Sequence, residues 1–318
     1  MQRHVVLFRR MARPLAQRGS AYMRAEQLVE LLSPHLDPGI TLSVRPFHAL
    51  VMPPIAMRAV ARSIPCGALC IFVKSAAKHL TRAHLAPLRK RGITVAQDVV
   101  DMKLRHVRPE LFDLLIAASL RGQQALRDLC ADKGLSCPVE LLHHHFDPRL
   151  LSVSLPERHA FSCGYIGRAD NAMIPEAIHD AVEQIDITTV EDFERALPRI
   201  GSFALHYGVR PESQTAHGVE RGYKPFTKGF TAAACNANIL VNRDVDDALE
   251  MLGADYPFLT DPTPESITKT FRLAQDSYGG PLWRDALDRM EAMRATVEPA
   301  ALARQLTEII TRAAPPLG

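Results

Sequence analysis

The chain has 318 residues, 47% hydrophobic and 23% charged, with a formal net charge of +3. That length can bury a substantial core, suits two domains, and the composition is ordinary for a soluble globular protein. No apolar run approaches the ~20 residues that cross a bilayer, and the opening MQRHVVLFRRMARP is apolar too briefly for a signal peptide, so a cytoplasmic protein is expected.

The chain alternates between strand and helix patterns from its start. Val5 to Phe8 reads as a first strand, residues 9 to 19 as a basic loop, and Gly19-Ser20 opens a helical pattern that ends near Pro34. Ile40 to Val44 is a second strand, and an amphipathic helix from Ile55 to Ser63 carries Arg58 and Arg62 one turn apart. Ala68 to Val73 is strongly strand-like and runs into Lys74-Ser75; a helix from Ala76 to Arg91 stops at Gly92. Ile93 to Val100 places Asp98 and Asp101 at the end of a central strand. Further elements follow at Leu111 to Ser119, Gln123 to Leu129 and Val139 to Leu142, the last running into His143-His144-His145. This spacing predicts βαβ units, a parallel sheet and an N-terminal Rossmann-like domain over residues 1 to 150.

Asp147 to Pro156 reads as a linker. A second α/β series follows over 157 to 290: a strand to Ile166 with Gly164 and Gly167, a helix over Glu176 to Gln184, an extended Ile185 to Thr188, and a helix from Val190 to Ala196. Phe203 to Tyr207 is a strand whose end carries His206 and Arg210. Three helices close the chain, over Glu265 to Tyr278, Leu282 to Ala295 and Pro299 to Ala313.

Between them lies the most informative stretch. Lys224, Thr227 and Lys228 sit in a Pro/Gly-interrupted loop before a short small-residue helix, Phe230 to Cys235. A helix start offers unpaired N–H groups and partial positive charge, so this order predicts phosphate binding. Asn236 tolerates the left-handed exit, Ile239 to Val241 is a buried strand, and Asn242, Arg243 and Asp244 fall at its carboxyl end, where parallel sheets bind ligands.

Charge is unevenly spread. Residues 1 to 150 hold 22 Lys/Arg against 11 Asp/Glu, a net +11, leaving 16 against 24 for the remainder. A basic first half fits an anionic acceptor, a membrane surface, nucleic acid or simple solvation. The Ile55 helix and the basic helix beside it could rest on anionic lipid. Nucleic acid is not expected, because aromatics are few and no nucleic-acid module is present. Six cysteines without CxxC or Cys/His spacing predict free thiols and no metal site. The three consecutive histidines cannot all face one ion, since neighbours on an extended chain point to opposite sides. An NAD-dependent oxidoreductase is disfavoured because no GxGxxG follows either first strand.

Over Phe203 to Pro257, the segments HYGVR, YKPFTKGFTAAACNANILV and ALEMLGADYP resemble the donor-side half of GT-B-fold glycosyltransferases; over the first half the resemblance is architectural. It implies an α/β fold of two Rossmann-like domains facing a cleft, with a last helix (291 to 318) returning toward the first domain. It further implies transfer of a sugar from a nucleotide sugar to a saccharide or lipid-linked acceptor, with no cofactor besides the donor substrate. Donor binding then falls to Gly164, Gly167, His206, Arg210, Lys224, Thr227, Lys228, Asn242 and Asp244, and the acceptor side to Gly19 and Ser20. An inverting course needs a base, for which Asp98, Asp101 and His145 are the candidates. Tyr223 and Thr231 stand where retaining members carry glutamates, and Asn236 stands where a glycine is usual.

Overall fold

The computed structural model describes residues 2–10, 19–211 and 222–313. The expected basic loop therefore lies, from 11 to 18, outside the described residues. The chain divides into two compact units: the described residues of Met1–His144, His217–Pro225 and Glu298–Gly318 form unit 1, and those of His145–Ala216 and Phe226–Val297 form unit 2.

Unit 1 holds a six-stranded, wholly parallel sheet. Its strands are β1 (Arg3–Arg10), β2 (Ile40–Phe47), β3 (Leu69–Val73), β4 (Thr94–Val99), β5 (Leu114–Ala117) and β6 (Val139–Leu141), in the spatial order β2-β1-β3-β4-β5-β6. A parallel sheet needs helices on both faces, so its central strands read as unbroken apolar runs rather than alternating ones. In β3 every residue is buried. One face packs Phe8, Phe47 and Phe72 with Met57, Leu85, Leu88 and Leu126 from three helices, the Phe8 and Phe72 rings stacking at 4.7 Å. The other packs Leu7, Ile71 and Ile116 against Leu28 and Leu32 and against Leu302, Leu306 and Ile309 of the Pro299–Ala313 helix. That last helix is tied to unit 1 by Arg312 on Glu140 at 2.9 Å and by the Thr94 hydroxyl on the Ala313 carbonyl at 3.0 Å.

Unit 2 repeats the plan with five parallel strands: β7 (Cys163–Gly167), β8 (Val182–Asp186), β9 (Leu205–Tyr207), β10 (Asn238–Asn242) and β11 (Leu259–Thr260), ordered β8-β7-β9-β10-β11. Its core continues into an aromatic group in which Trp283 meets Tyr278, Phe258 and Phe161 at 5.1, 5.5 and 6.1 Å between ring centroids.

Two expectations need correction. Glu176 to Gln184 is not one helix: a 3-10 turn, Glu176–Ala181, gives way to β8. As an edge strand, β8 exposes most of its residues and so lacks the apolar run that marks the inner strands. The Ala76 to Arg91 helix is likewise shorter, a 3-10 turn at Lys74–Ala77 and then Arg82–Arg89 from an N-cap at Thr81.

A buried ion pair locks unit 1. The helix after Gly19 passes through a π-helical turn, Met23–Gln27, which carries Arg24 inward. Arg24 donates from Nε and Nη2 to the Asp98 Oδ2 atom at 3.0 and 2.5 Å and from Nη1 to the Leu142 and His143 carbonyls at 3.0 and 2.9 Å. Burial raises the Asp98 carboxyl, and the Arg24 charge opposes that rise. Arg24→Ala strands a buried carboxylate and two carbonyls, and should destabilise unit 1 by ~3–5 kcal/mol in a urea titration, whereas replacing Arg24 and Asp98 together with Met and Leu should cost distinctly less.

Candidate functional site

In each sheet the second strand lies to one side of the first and the third to the other. The direction of winding therefore reverses between β7 and β9 in unit 2, and ligands bind such sheets beyond the carboxyl ends of the strands at this reversal. Gly167 and Tyr207 end the two strands there. The helix expected from Phe230 starts three residues earlier, at Thr227, and runs to Ala234. Thr227 and Lys228 thus form its first turn, and its N-cap, Phe226, supplies no side-chain hydrogen bond.

Lys228 is partly buried, with its ammonium donating to the Ile166 carbonyl at 2.5 Å and lying 3.9 Å from the centre of the Tyr165 ring. The Tyr165 hydroxyl donates to the Arg168 carbonyl at 2.7 Å, which fixes the ring. Gly167 has φ +141°, and a Cβ there would stand 3.2 Å from the Lys228 ammonium. Glycine at this position therefore keeps space for the lysine. At Gly164 a Cβ would stand 2.3 Å from the Phe203 ring, so glycine here leaves room for that ring.

A cavity of about 190 Å³ lies beside Lys228, lined by Ile166, Gly167, His206, Thr227 and Thr231, with Ile187 and Phe193 as apolar wall. It is smaller than the ~300–1,000 Å³ of whole-ligand pockets, so it suits one part of a ligand. His206 is 3% exposed, and its Nε2 is buried with no hydrogen-bond partner. Burial, with the Arg158 charge, pushes its pKa down to about 3, so the ring is neutral. A neutral imidazole offers one N–H donor and one lone-pair acceptor.

Arg210 follows β9. Its backbone is clamped by the Asn242 side chain, which accepts from the Arg210 N–H at 2.8 Å and donates to its carbonyl at 2.9 Å. Asn242, fully buried, thus holds Arg210 in place, where the sequence suggested contact with sugar hydroxyls. The Arg210 charge acts on both Lys228 and Tyr165. Asp244 is half-buried in the turn after β10, and the N-cap of the next helix, Ala248–Leu252, is Asp247. Lys224 is exposed and belongs with unit 1, not with Thr227 and Lys228. The reason is local: Gly222 (φ +73°) lies so close to the Met102 carbonyl that a Cβ would stand 1.9 Å from it, and Tyr223 packs on the unit 1 core.

In unit 1 the equivalent reversal lies between β1 and β3. Here Lys74, which the sequence showed only as a strand-end residue, donates to the Ser20 hydroxyl at 2.7 Å and to Asp101 at 2.9 Å. It joins Ser20, one of the expected acceptor-side residues, to one expected catalytic carboxylate. Lys74 and Asp101 both have positive φ, +47° and +48°, uncommon for residues with side chains and concentrated at functional sites. The other candidates are placed elsewhere: Asp98 is buried on Arg24, and His145 is fully buried with Nδ1 on the Phe146 carbonyl at 2.6 Å. His143, by contrast, turns to Gln305.

No family model and no curated relative matches the sequence. Solved structures do match over nearly its whole length. The structure is similar to a glycosyltransferase from Rickettsia africae (6% identity, 98% of both chains, TM-score 0.57). It is similar also to an alpha,alpha-trehalose-phosphate synthase (UDP-forming) from Burkholderia vietnamiensis (10% identity, 98% of this chain and 99% of that one, TM-score 0.61). A third is Anabaena HepE in complex with UDP and glucose (12% identity, 97% and 99%, TM-score 0.58). The chain has the α/β fold of the GT-B glycosyltransferases, two parallel-sheet units with C-terminal helices.

Burial, reinforced by the like charge of Arg210, lowers the Lys228 ammonium to about 7. It is charged below that pH and neutral above it, and an anion favours the charged form. Carbon-13 NMR of methyl-labelled lysines should show one resonance titrating near pH 7, absent in Lys228→Met and moved to higher pH by added diphosphate. A wild-type spectrum in which every lysine titrates near 10 would contradict this.

Proposed function

We propose that the chain is a metal-independent glycosyltransferase that moves a sugar from a nucleotide-sugar donor, held by unit 2, to a saccharide or lipid-linked acceptor. The observation that carries this is the convergence of Lys228, Arg210 and an uncapped helix start at the sheet reversal of unit 2, in a chain with the GT-B fold. As the bond between the anomeric carbon and the phosphate oxygen breaks, its electron pair goes to the diphosphate. Two cations and oriented N–H groups stabilise that growing charge. The His206 Nε2 atom hydrogen-bonds a hydroxyl of the donor, and Thr227 and Thr231 complete the polar side of the cavity.

Asp101 is the base for an inverting course. Its carboxylate takes the proton of the acceptor hydroxyl as that oxygen attacks the anomeric carbon, and Lys74 holds the carboxylate in place. A retaining course would proceed without it. Because two of the similar proteins are UDP-forming or bind UDP, uridine diphosphate is the first nucleotide to try.

Thermal-shift measurements with UDP, GDP, CDP, CMP, ADP and NAD provide the test. One nucleoside phosphate should stabilise the protein, by ~2.7 kcal/mol at a hundredfold excess over Kd, and Lys228→Ala should abolish the response. A response to NAD alone, or to none, rejects the proposal. Asp101→Asn should keep that response but lower turnover ~10²–10⁴-fold; unimpaired turnover would remove Asp101 as base.

A further inference from the structure

Apart from the residues assigned to transfer, unit 1 carries a surface that combines grease with positive charge. After β2 the chain turns at His48–Met52 and leads into the Met57–Arg62 helix. Three large apolar side chains in this stretch face solvent: Leu50 and Val51 at 69% exposure and Ile55 at 62%. The helix buries Met57 and Ala61 against the sheet and packs beside the Arg82–Arg89 helix, which buries Leu85 and Leu88. A groove of about 520 Å³ runs between the two. Its ten lining residues include four cations, Arg58, Arg62, Lys90 and Arg91, and no acid.

Arg91 is committed in part to the fold, donating to the Ile64 carbonyl at 3.2 Å. Arg58, Arg62 and Lys90 make no ion pair among the described residues. Unneutralised cations around an apolar floor of Pro54, Ile55, Ala83 and Pro87, beside exposed aliphatic side chains, match one kind of partner in both respects. An anionic bilayer offers phosphates at its surface and hydrocarbon just beneath. A nucleic acid would meet the charge but leave the aliphatic residues unused, since bases are bound by aromatic stacking; an acidic protein would leave the same cost of exposure before binding.

We propose that this face docks unit 1 on an anionic lipid surface, with Arg58, Arg62 and Lys90 on lipid phosphates and Leu50, Val51 and Ile55 entering the interface. It acts independently of the nucleotide site, so either assignment can fail alone.

Flotation of the full chain with vesicles of phosphatidylcholine, with and without phosphatidylglycerol, at low and moderate salt tests it. The protein should float with the anionic vesicles and not with the zwitterionic ones, more weakly as salt rises. The double variant Arg58→Gln/Arg62→Gln should lose ~25-fold in affinity, at about fivefold per cation, with unchanged Tm and nucleotide response. Leu50→Ser/Val51→Ser should leave only binding that salt abolishes. Absence of flotation with anionic vesicles at either salt, wild-type flotation by the arginine variant, or retention of a short RNA without flotation would each overturn it.

Discussion

An ammonium held against a backbone carbonyl and an aromatic face organises unit 2. Lys228 reaches the Ile166 oxygen at the end of β7 and lies over Tyr165, but both are neutral partners for a full charge. Neither offsets the desolvation that draws its pKa down, and Arg210 adds to the difficulty. The surroundings are built to serve that charge: Gly167 leaves it space, Asn242 fixes the backbone of Arg210, and Tyr165 is itself anchored to Arg168. A pre-positioned ammonium with neutral partners needs little rearrangement when negative charge develops beside it.

The same topology yields a different chemistry in unit 1. There the strand-end lysine, Lys74, is already paired with a carboxylate and a hydroxyl, so no uncompensated charge remains for a diphosphate. What the arrangement supplies is an oriented oxygen base at the carboxyl edge of the sheet. Two units of similar strand order therefore differ at this edge: a lysine meets neutral partners in one and a carboxylate in the other.

The parallel sheets were legible because buried parallel strands are continuous apolar runs, as in β3 and β10. The left-handed exit at Asn236, with φ +50°, was legible because few residues tolerate it. Strand β8 was not, because an exposed edge strand lacks that run. The early start of the Thr227 helix was hidden by Lys-Gly, which reads as a loop. Gly229 is accepted in the helix because the Phe226 ring occupies the space a Cβ would need, 2.2 Å away. Lys74 was missed for a further reason: its role arises from a positive φ and from partners 54 and 27 residues away, neither of which sequence spacing records. Asn242 was legible as a strand-end residue, but its clamp on the Arg210 backbone was not, because that contact joins residues 32 apart in the chain.

The assignment of carboxylates follows from the same preference for satisfied burial. Asp98 and Asp101 are three residues apart at the end of one strand, and sequence alone does not divide their work. Strand β4 carries Asp98 into the layer where the π-helical turn presents Arg24, and a guanidinium with five donors takes that carboxylate and two carbonyls together. A carboxylate so held cannot accept a proton from a bound hydroxyl without breaking the pair that secures helix and sheet. Asp101, beyond the strand in a left-handed conformation and part-exposed, is free of that duty. Among the described residues its partner is a lysine that orients it without burying it. Structural demand has taken one of the two carboxylates, and the position it leaves available is the one at the sheet edge.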